Sequence, residues 1–113
     1  MDCKKGDVYL VNFDPTIGSE VKKTRPAVIV SNDVNNANST IISITPITSN
    51  VSRIFSFEVE LPAGSGGITI KSKAMINQTR AVDKARLIKH IGSLDSLIIE
   101  KINRALKLHY DID

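Results

Sequence analysis

The chain has 113 residues, 42% hydrophobic and 24% charged, with 6 Gly, 4 Pro and one cysteine. A domain of that size buries roughly 60–70% of the surface its unfolded chain exposes, enough for an ordinary core. The composition excludes collagen-like, disordered and coiled-coil chains, and a lone Cys3 excludes a disulfide-stapled mini-fold. No apolar run approaches the ~20 residues needed to span a bilayer, and the first seven residues lack the apolar stretch of a signal peptide. The expectation is a cytoplasmic protein with one domain over residues 1–113 and no membrane partner. The net charge of +3 is compatible with a phosphate-rich partner. Lys71, Lys73, Arg80, Lys84, Arg86 and Lys89 face one anion, Asp83, between Lys71 and His90, and Lys22-Lys23-Thr24-Arg25 forms a second cluster. These read either as solvated faces or as two banks of one groove.

In chain order, Val8–Phe13 is an apolar run that reads as a strand, bounded by Lys4-Lys5-Gly6-Asp7 and Asp14-Pro15. Residues 14–24 form the longest irregular stretch. Pro26–Val30 is a second strand, rich in β-branched residues and ended by Ser31-Asn32-Asp33. Thr40–Ile47 is a third, and Pro46 places its far end at an edge or bend. Phe55–Leu61 alternates, with Phe55, Phe57, Val59 and Leu61 on one face and Ser56, Glu58 and Glu60 on the other, predicting a half-buried antiparallel strand. Gly64-Ser65-Gly66-Gly67 reads as a turn or mobile loop; Ile68–Val82 resumes extended character, and Leu87–Ile91 reads as one more short strand. The period then changes. Leu94, Ile98, Ile99, Ile102, Ala105, Leu106 and His109 recur at helical spacing, with Asp95 as N-cap and Leu94/Ile99 as a hydrophobic staple. The predicted fold is mainly β, a small partly open antiparallel barrel with an amphipathic C-terminal helix laid against it.

Few motifs carry chemistry by themselves. Residues 66–72 end in Lys-Ser like a phosphate loop, but Ile70 occupies the position that requires glycine. No His, Cys or carboxylate cluster has metal-ligand spacing, so neither metal nor cofactor is expected. A His pair can serve a nuclease as acid and base, but His90 falls in a predicted strand and His109 at the helix end, where structural roles fit better. Arg25 stands just before Pro26, its backbone pushed extended, where a guanidinium either pairs with a carboxylate or binds phosphate bidentately. Thr48-Ser49-Asn50 closes the third strand with hydroxyls that either satisfy a turn or serve a ligand.

Five ordered blocks change the reading. Gly6-Asp7-Val8-Tyr9, Asp14-Pro15-Thr16-x-Gly18-Ser19-Glu20, Thr24–Asn32, Thr45-Pro46-Ile47-Thr48-Ser49 and Gln78–Leu87 together resemble the MazF/PemK toxin family, and the resemblance spans nearly the whole chain. It implies an SH3-like barrel, a homodimer, and an endoribonuclease of a bacterial toxin–antitoxin pair that cuts single-stranded RNA at short sequences without metal. It also implies an antitoxin whose acidic, disordered C-terminal segment covers the basic groove. By position, Arg25 and Thr48 match the family's catalytic arginine and threonine. Ser19, Glu20, Lys23, Asn32, Ser49, Asn77, Gln78 and Arg80 match positions that contact RNA. Two positions depart from the pattern: Asn77 replaces an acid found in many relatives, and Ser19 a histidine found in some. An amide takes no proton, so the expected consequence at Asn77 is a changed cut-site preference.

The implied chemistry is attack of a ribose 2′-hydroxyl on the adjacent phosphate, giving 2′,3′-cyclic phosphate and 5′-hydroxyl ends. RNA supplies its own nucleophile, so the protein has only to hold the phosphate and stabilise its developing charge. The same barrel resembles CcdB-type toxins, which bind DNA gyrase without catalysis; that is the alternative.

Overall fold

The computed structural model describes residues 2–15, 17–20 and 23–113, so Thr16, Val21 and Lys22 of the predicted loop and cation cluster lie outside the described residues. Among these residues, seven strands and two α-helices follow one another as β1 (Asp7–Asn12), β2 (Thr24–Ile29), α1 (Asp33–Asn38), β3 (Ile41–Thr48), β4 (Val59–Leu61), β5 (Ser72–Ala74), β6 (Arg80–Asp83), β7 (Leu87–Ser93) and α2 (Ser96–His109). The strands pair antiparallel in the order β4-β5-β3-β2-β1-β7, with β6 on β3 beside β5, and the sheet is not closed.

Side-chain alternation along β1, β2 and β3 builds a core on each face of the sheet. Val8, Val28 and Ile47 point to one side, where Leu94, Ile98 and Ile102 bring α2 down onto them together with Val59, Leu61 and Ile76. Tyr9, Val11, Ala27, Ile29, Ile42 and Ile44 point to the other, joined by Phe13, Val82 and Leu87. The helix starts as predicted, with the Asp95 carboxylate accepting from the Ile98 N–H at 2.9 Å. The 3-10 turn Ser65–Gly67 packs against β7 so closely that a Cβ on Gly92 would stand 2.6 Å from the Gly66 backbone.

Three stretches depart from the expectation. Asp33–Asn38 is helical, because the Asn32 side chain caps it by accepting from the Asn35 N–H at 2.8 Å. Phe55 and Phe57 lie outside β4, whose strand begins only at Val59. The alternation there is interrupted by a turn, in which Glu58 N–H donates to the Phe55 carbonyl and Phe55 N–H to Glu58 Oε1, both at 2.9 Å. Glu58 is therefore turned inward rather than to solvent, and it meets Lys73 Nζ at 2.9 Å. The third departure lies within Ile68–Val82, where the ladder on one edge of β3 breaks. Ile47 faces Ala74 and Ile44 faces Arg80, so extra residues loop out between them. Pro46 stands at the break: it has no N–H to give, and its carbonyl accepts from Met75 N–H at 2.9 Å.

Candidate active site

That loop-out builds one wall of a cleft. Its 3-10 turn, Ile76–Gln78, is held by Gln78 N–H to the Met75 carbonyl at 2.9 Å and by a 2.7 Å bond between the hydroxyls of Thr45 and Thr79. Asn77, Gln78, Thr79 and Arg80 line one side of a cleft of about 350 Å³, Pro46 contributes to its lining from β3, and Phe13, Ser19 and Glu20 line the other side from the segment that follows β1. The base of that loop is tied down. Phe13 N–H donates to the Lys23 carbonyl, Lys23 N–H to Asp14 Oδ1, and Arg86 to the carbonyls of Asn12 and Asp14.

Arg25 and Thr48 belong to the same face. In the β2–β3 ladder Ala27 faces Pro46 and Ile29 faces Ile44. Continued two residues past Ala27–Pro46, this register sets Arg25 opposite Thr48. Alternation then puts both on the side that carries Pro46, and Arg80 joins them because it faces Ile44. Among the described residues Arg25 is exposed and has neither carboxylate nor carbonyl partner, which leaves its N–H fork for a ligand. Thr48 Oγ1 accepts from the Asn50 N–H at 3.2 Å, an arrangement that leaves its own proton for donation.

The structure thus brings together Ser19, Glu20, Asn77, Gln78 and Arg80 around the cleft; Arg25 and Thr48 do not line it, and the extended register places them on the sheet face that carries its lining residue Pro46. Lys23 sits at the end of the same loop with φ +62°, and Ser49 follows Thr48. Asn32 lies apart, past the opposite end of β2 from Arg25, its side chain spent on the cap of α1. Phe13 is a lining residue that sequence reasoning placed only at the end of a strand. Its position opposite Lys23 at the end of β1 is the signal that places it in the cleft.

The cation-rich stretch does not form one continuous bank. Lys71 pairs with Glu60 at 3.2 Å, Lys73 with Glu58, Lys84 with the Asn36 carbonyl, and Arg86 with the loop base. Arg80 is the member that reaches the cleft, its guanidinium 5.9 Å from the Phe13 ring centre. A larger groove of about 650 Å³ separates β4 from α2, but Val59, Leu97, Ile98, Ala105 and Leu108 make it mostly apolar and it holds none of the predicted site residues. Among the described residues there is no group of three His, Cys, Asp or Glu side chains able to hold a metal. No helix among them is long and apolar enough to cross a membrane.

The arrangement is suited to gripping an anion. A guanidinium with no partner among the described residues and a hydroxyl donor share the face beside a cleft lined by amides, which read hydrogen-bonding edges. Comparison with known proteins points the same way. Residues 4–110 match the model of the PemK-like, MazF-like toxins of type II toxin–antitoxin systems. The chain is 37% identical to endoribonuclease MazF9 of Mycobacterium tuberculosis over 96% of this chain and 97% of that one. It is 32% identical to endoribonuclease EndoA of Bacillus subtilis over 96% and 94%. The crystal structure of MazF from Deinococcus radiodurans superposes with a TM-score of 0.86 at 22% identity, covering 99% of each chain, which establishes the shared fold.

Proposed function

This chain belongs to the PemK-like, MazF-like toxin family of type II toxin–antitoxin systems, and from that premise we propose that it is a metal-independent endoribonuclease acting on single-stranded RNA. It is a single toxin domain that works as a cytoplasmic homodimer and is restrained by an antitoxin whose acidic tail occupies the cleft. Cutting messenger RNA inhibits translation and growth. The relatives named above are endoribonucleases, so the gyrase-binding alternative is not favoured.

One observation supports the catalytic assignment: the β2–β3 register which, continued two residues past Ala27–Pro46, sets Arg25, unpartnered among the described residues, opposite Thr48. A phosphate seated there receives the guanidinium fork on its non-bridging oxygens and the Thr48 O–H beside it. The 2′-oxygen of the preceding ribose attacks phosphorus as the bond to the 5′-oxygen breaks. The 2′-hydroxyl gives up its proton and the departing oxygen gains one. Charge grows on the non-bridging oxygens, and a fixed guanidinium stabilises that state more than the ground state. Ser19, Glu20, Asn77, Gln78 and Arg80 hold the flanking nucleotides, the amides reading base edges and Arg80 a phosphate. Lys23 and Ser49 border that path.

The test is incubation of the purified protein with a mixed-sequence RNA in EDTA, followed by mapping of the ends. The expected products carry 2′,3′-cyclic phosphate and 5′-hydroxyl termini, with the matching DNA left intact. Uncut RNA, or 3′-hydroxyl ends, would reject the reading.

A further inference from the structure

Only five residues in the chain are aromatic Phe or Tyr, and Tyr9 and Phe13 are buried in the core. Two of the others lie side by side at the surface. The rings of Phe55 and Phe57 stack with centres 5.1 Å apart and planes 16° from parallel, while 38% of Phe55 and 37% of Phe57 remain exposed. The Arg53 guanidinium covers Phe55 at 4.3 Å from the ring centre. Arg53, Phe55 and Phe57 thus form one stack on the loop that leaves the sheet at Thr48.

The stack is fixed in place rather than loosely displayed. Glu58 Oε1 accepts from the Phe55 N–H at 2.9 Å and from Lys73 Nζ at 2.9 Å, and Lys73 Nζ also donates to the Arg53 carbonyl at 2.8 Å. Lys73 is the cross-strand partner of Thr48, so it shares that residue's face of the sheet. Its ammonium lies 5.7 Å from the centre of the Phe55 ring. The buried Lys73–Glu58 pair thereby fixes the rings to the strand position beside Thr48. Among the described residues Arg53 has no acid partner.

We infer that this stack is a landing platform for an unpaired base of the RNA, flanking the phosphate held at Arg25 and Thr48; the inference rests on the nuclease reading above. A nucleobase adds the next layer on the exposed ring surface, and Arg53 meets the backbone phosphate beside it. The ring arrangement suits a base because stacking needs only a π-face, so the contact supplies affinity without demanding a particular sequence. An apolar protein surface would gain as much from aliphatic side chains and would have no use for the unpaired guanidinium on the stack. The contact holds ground state and transition state equally, so it is expected in KM.

The experiment is a double-mutant cycle on the full-length protein. Once the wild-type cut position is mapped, an abasic nucleotide is placed at each position flanking it, and KM is measured for wild type, Phe57→Leu, Phe55→Leu and Phe57→Tyr. Removing one stacked base is expected to raise wild-type KM about tenfold at one flanking position. That penalty should disappear in Phe57→Leu or Phe55→Leu, whose KM is already raised, and persist in Phe57→Tyr, which keeps its ring. If abasic and Leu penalties add at every position, the platform is overturned while the nuclease reading stands. The same holds if the Leu variants change only sedimentation, which would mark a contact between copies of this chain. If the wild type cuts no RNA, it is the underlying reading that fails.

Discussion

The β2–β3 ladder ends at Ala27–Pro46, and its register continued two residues further sets Arg25, near the start of β2, opposite Thr48, at the end of β3, although no sequence motif joins them. Antiparallel pairing turns a separation along the chain into proximity on one face, so a guanidinium and a hydroxyl can share it without belonging to a loop of their own. The hydroxyl is further oriented by the Asn50 N–H that it accepts at 3.2 Å.

Replacing Thr48 separates the hydroxyl from the bulk of the side chain. Thr48→Val keeps shape and strand propensity but loses the donor to phosphate. A hydrogen bond to a charged group contributes about 1.5–3 kcal/mol, so cleavage should fall by roughly tenfold to a hundredfold. Thr48→Ser should recover most of it. Single-turnover rates on a mapped oligonucleotide check this.

The wall carrying Asn77 and Gln78 depends on the bond between the hydroxyls of Thr45 and Thr79 at 2.7 Å. Thr79→Val removes that bond and the one from Thr79 Oγ1 to the Ile76 carbonyl. At about 1 kcal/mol per bond the protein stays folded, with a stability loss on the order of 1–2 kcal/mol in urea unfolding. The loosened wall should relax cut-site preference more than it lowers the rate, which sequencing of cleavage ends reports.

The Lys73–Glu58 pair is nearly closed to solvent, with side-chain exposures of 11% and 6%. Lys73→Met strands a buried carboxylate and should cost about 3–5 kcal/mol. Adding Glu58→Gln to it should restore part of that loss, because no charge is then left unpaired. Denaturant midpoints of the two single variants and the double variant give the comparison.

Asp33 offers a pH signature away from the cleft. The Lys5 N–H donates to its Oδ1 at 2.7 Å and Asn36 Nδ2 to the same atom at 3.2 Å, and these bonds hold the carboxyl below its ordinary range. A depressed folded value stabilises the protein above the unfolded carboxylate value of about 3.9, and the advantage is lost as pH falls through the lower one. The Tm of wild type should therefore exceed that of Asp33→Asn at pH 7 and converge on it in acid. A constant gap at all pH values would contradict the assignment.

Strand positions in β1, β2 and β3 and the start of α2 were legible because periodicity and capping are local properties. Val8, Val28 and Ile47 could be assigned to strands, and Asp95 to a cap, from their neighbours alone. What escaped was set by distant partners. The Phe55–Leu61 alternation looks like a strand until Lys73 draws Glu58 inward and turns the chain. The Asp33–Asn38 helix rests on capping by the Asn32 side chain in a stretch of weak helix formers, which the strand-to-turn reading passed over. Pro46 signalled a bend, but that the opposite edge would loop out there and carry Asn77 into a cleft follows only once Ala74 and Arg80 are paired. Of the cleft lining, the resemblance supplied the amides Asn77 and Gln78, and beside it Arg25 and Thr48, whereas Phe13 needed the fold.

The most direct test of the account is the single-turnover cleavage rate of Arg25→Ala in EDTA on an oligonucleotide bearing the mapped cut site. Arg25 is exposed and unpartnered among the described residues, so its removal should leave the unfolding midpoint unchanged. The account predicts a rate lower by about 10²–10³, the usual cost of deleting one preorganised donor to a developing anion. A folded Arg25→Ala protein that cuts RNA as fast as the wild type would contradict it.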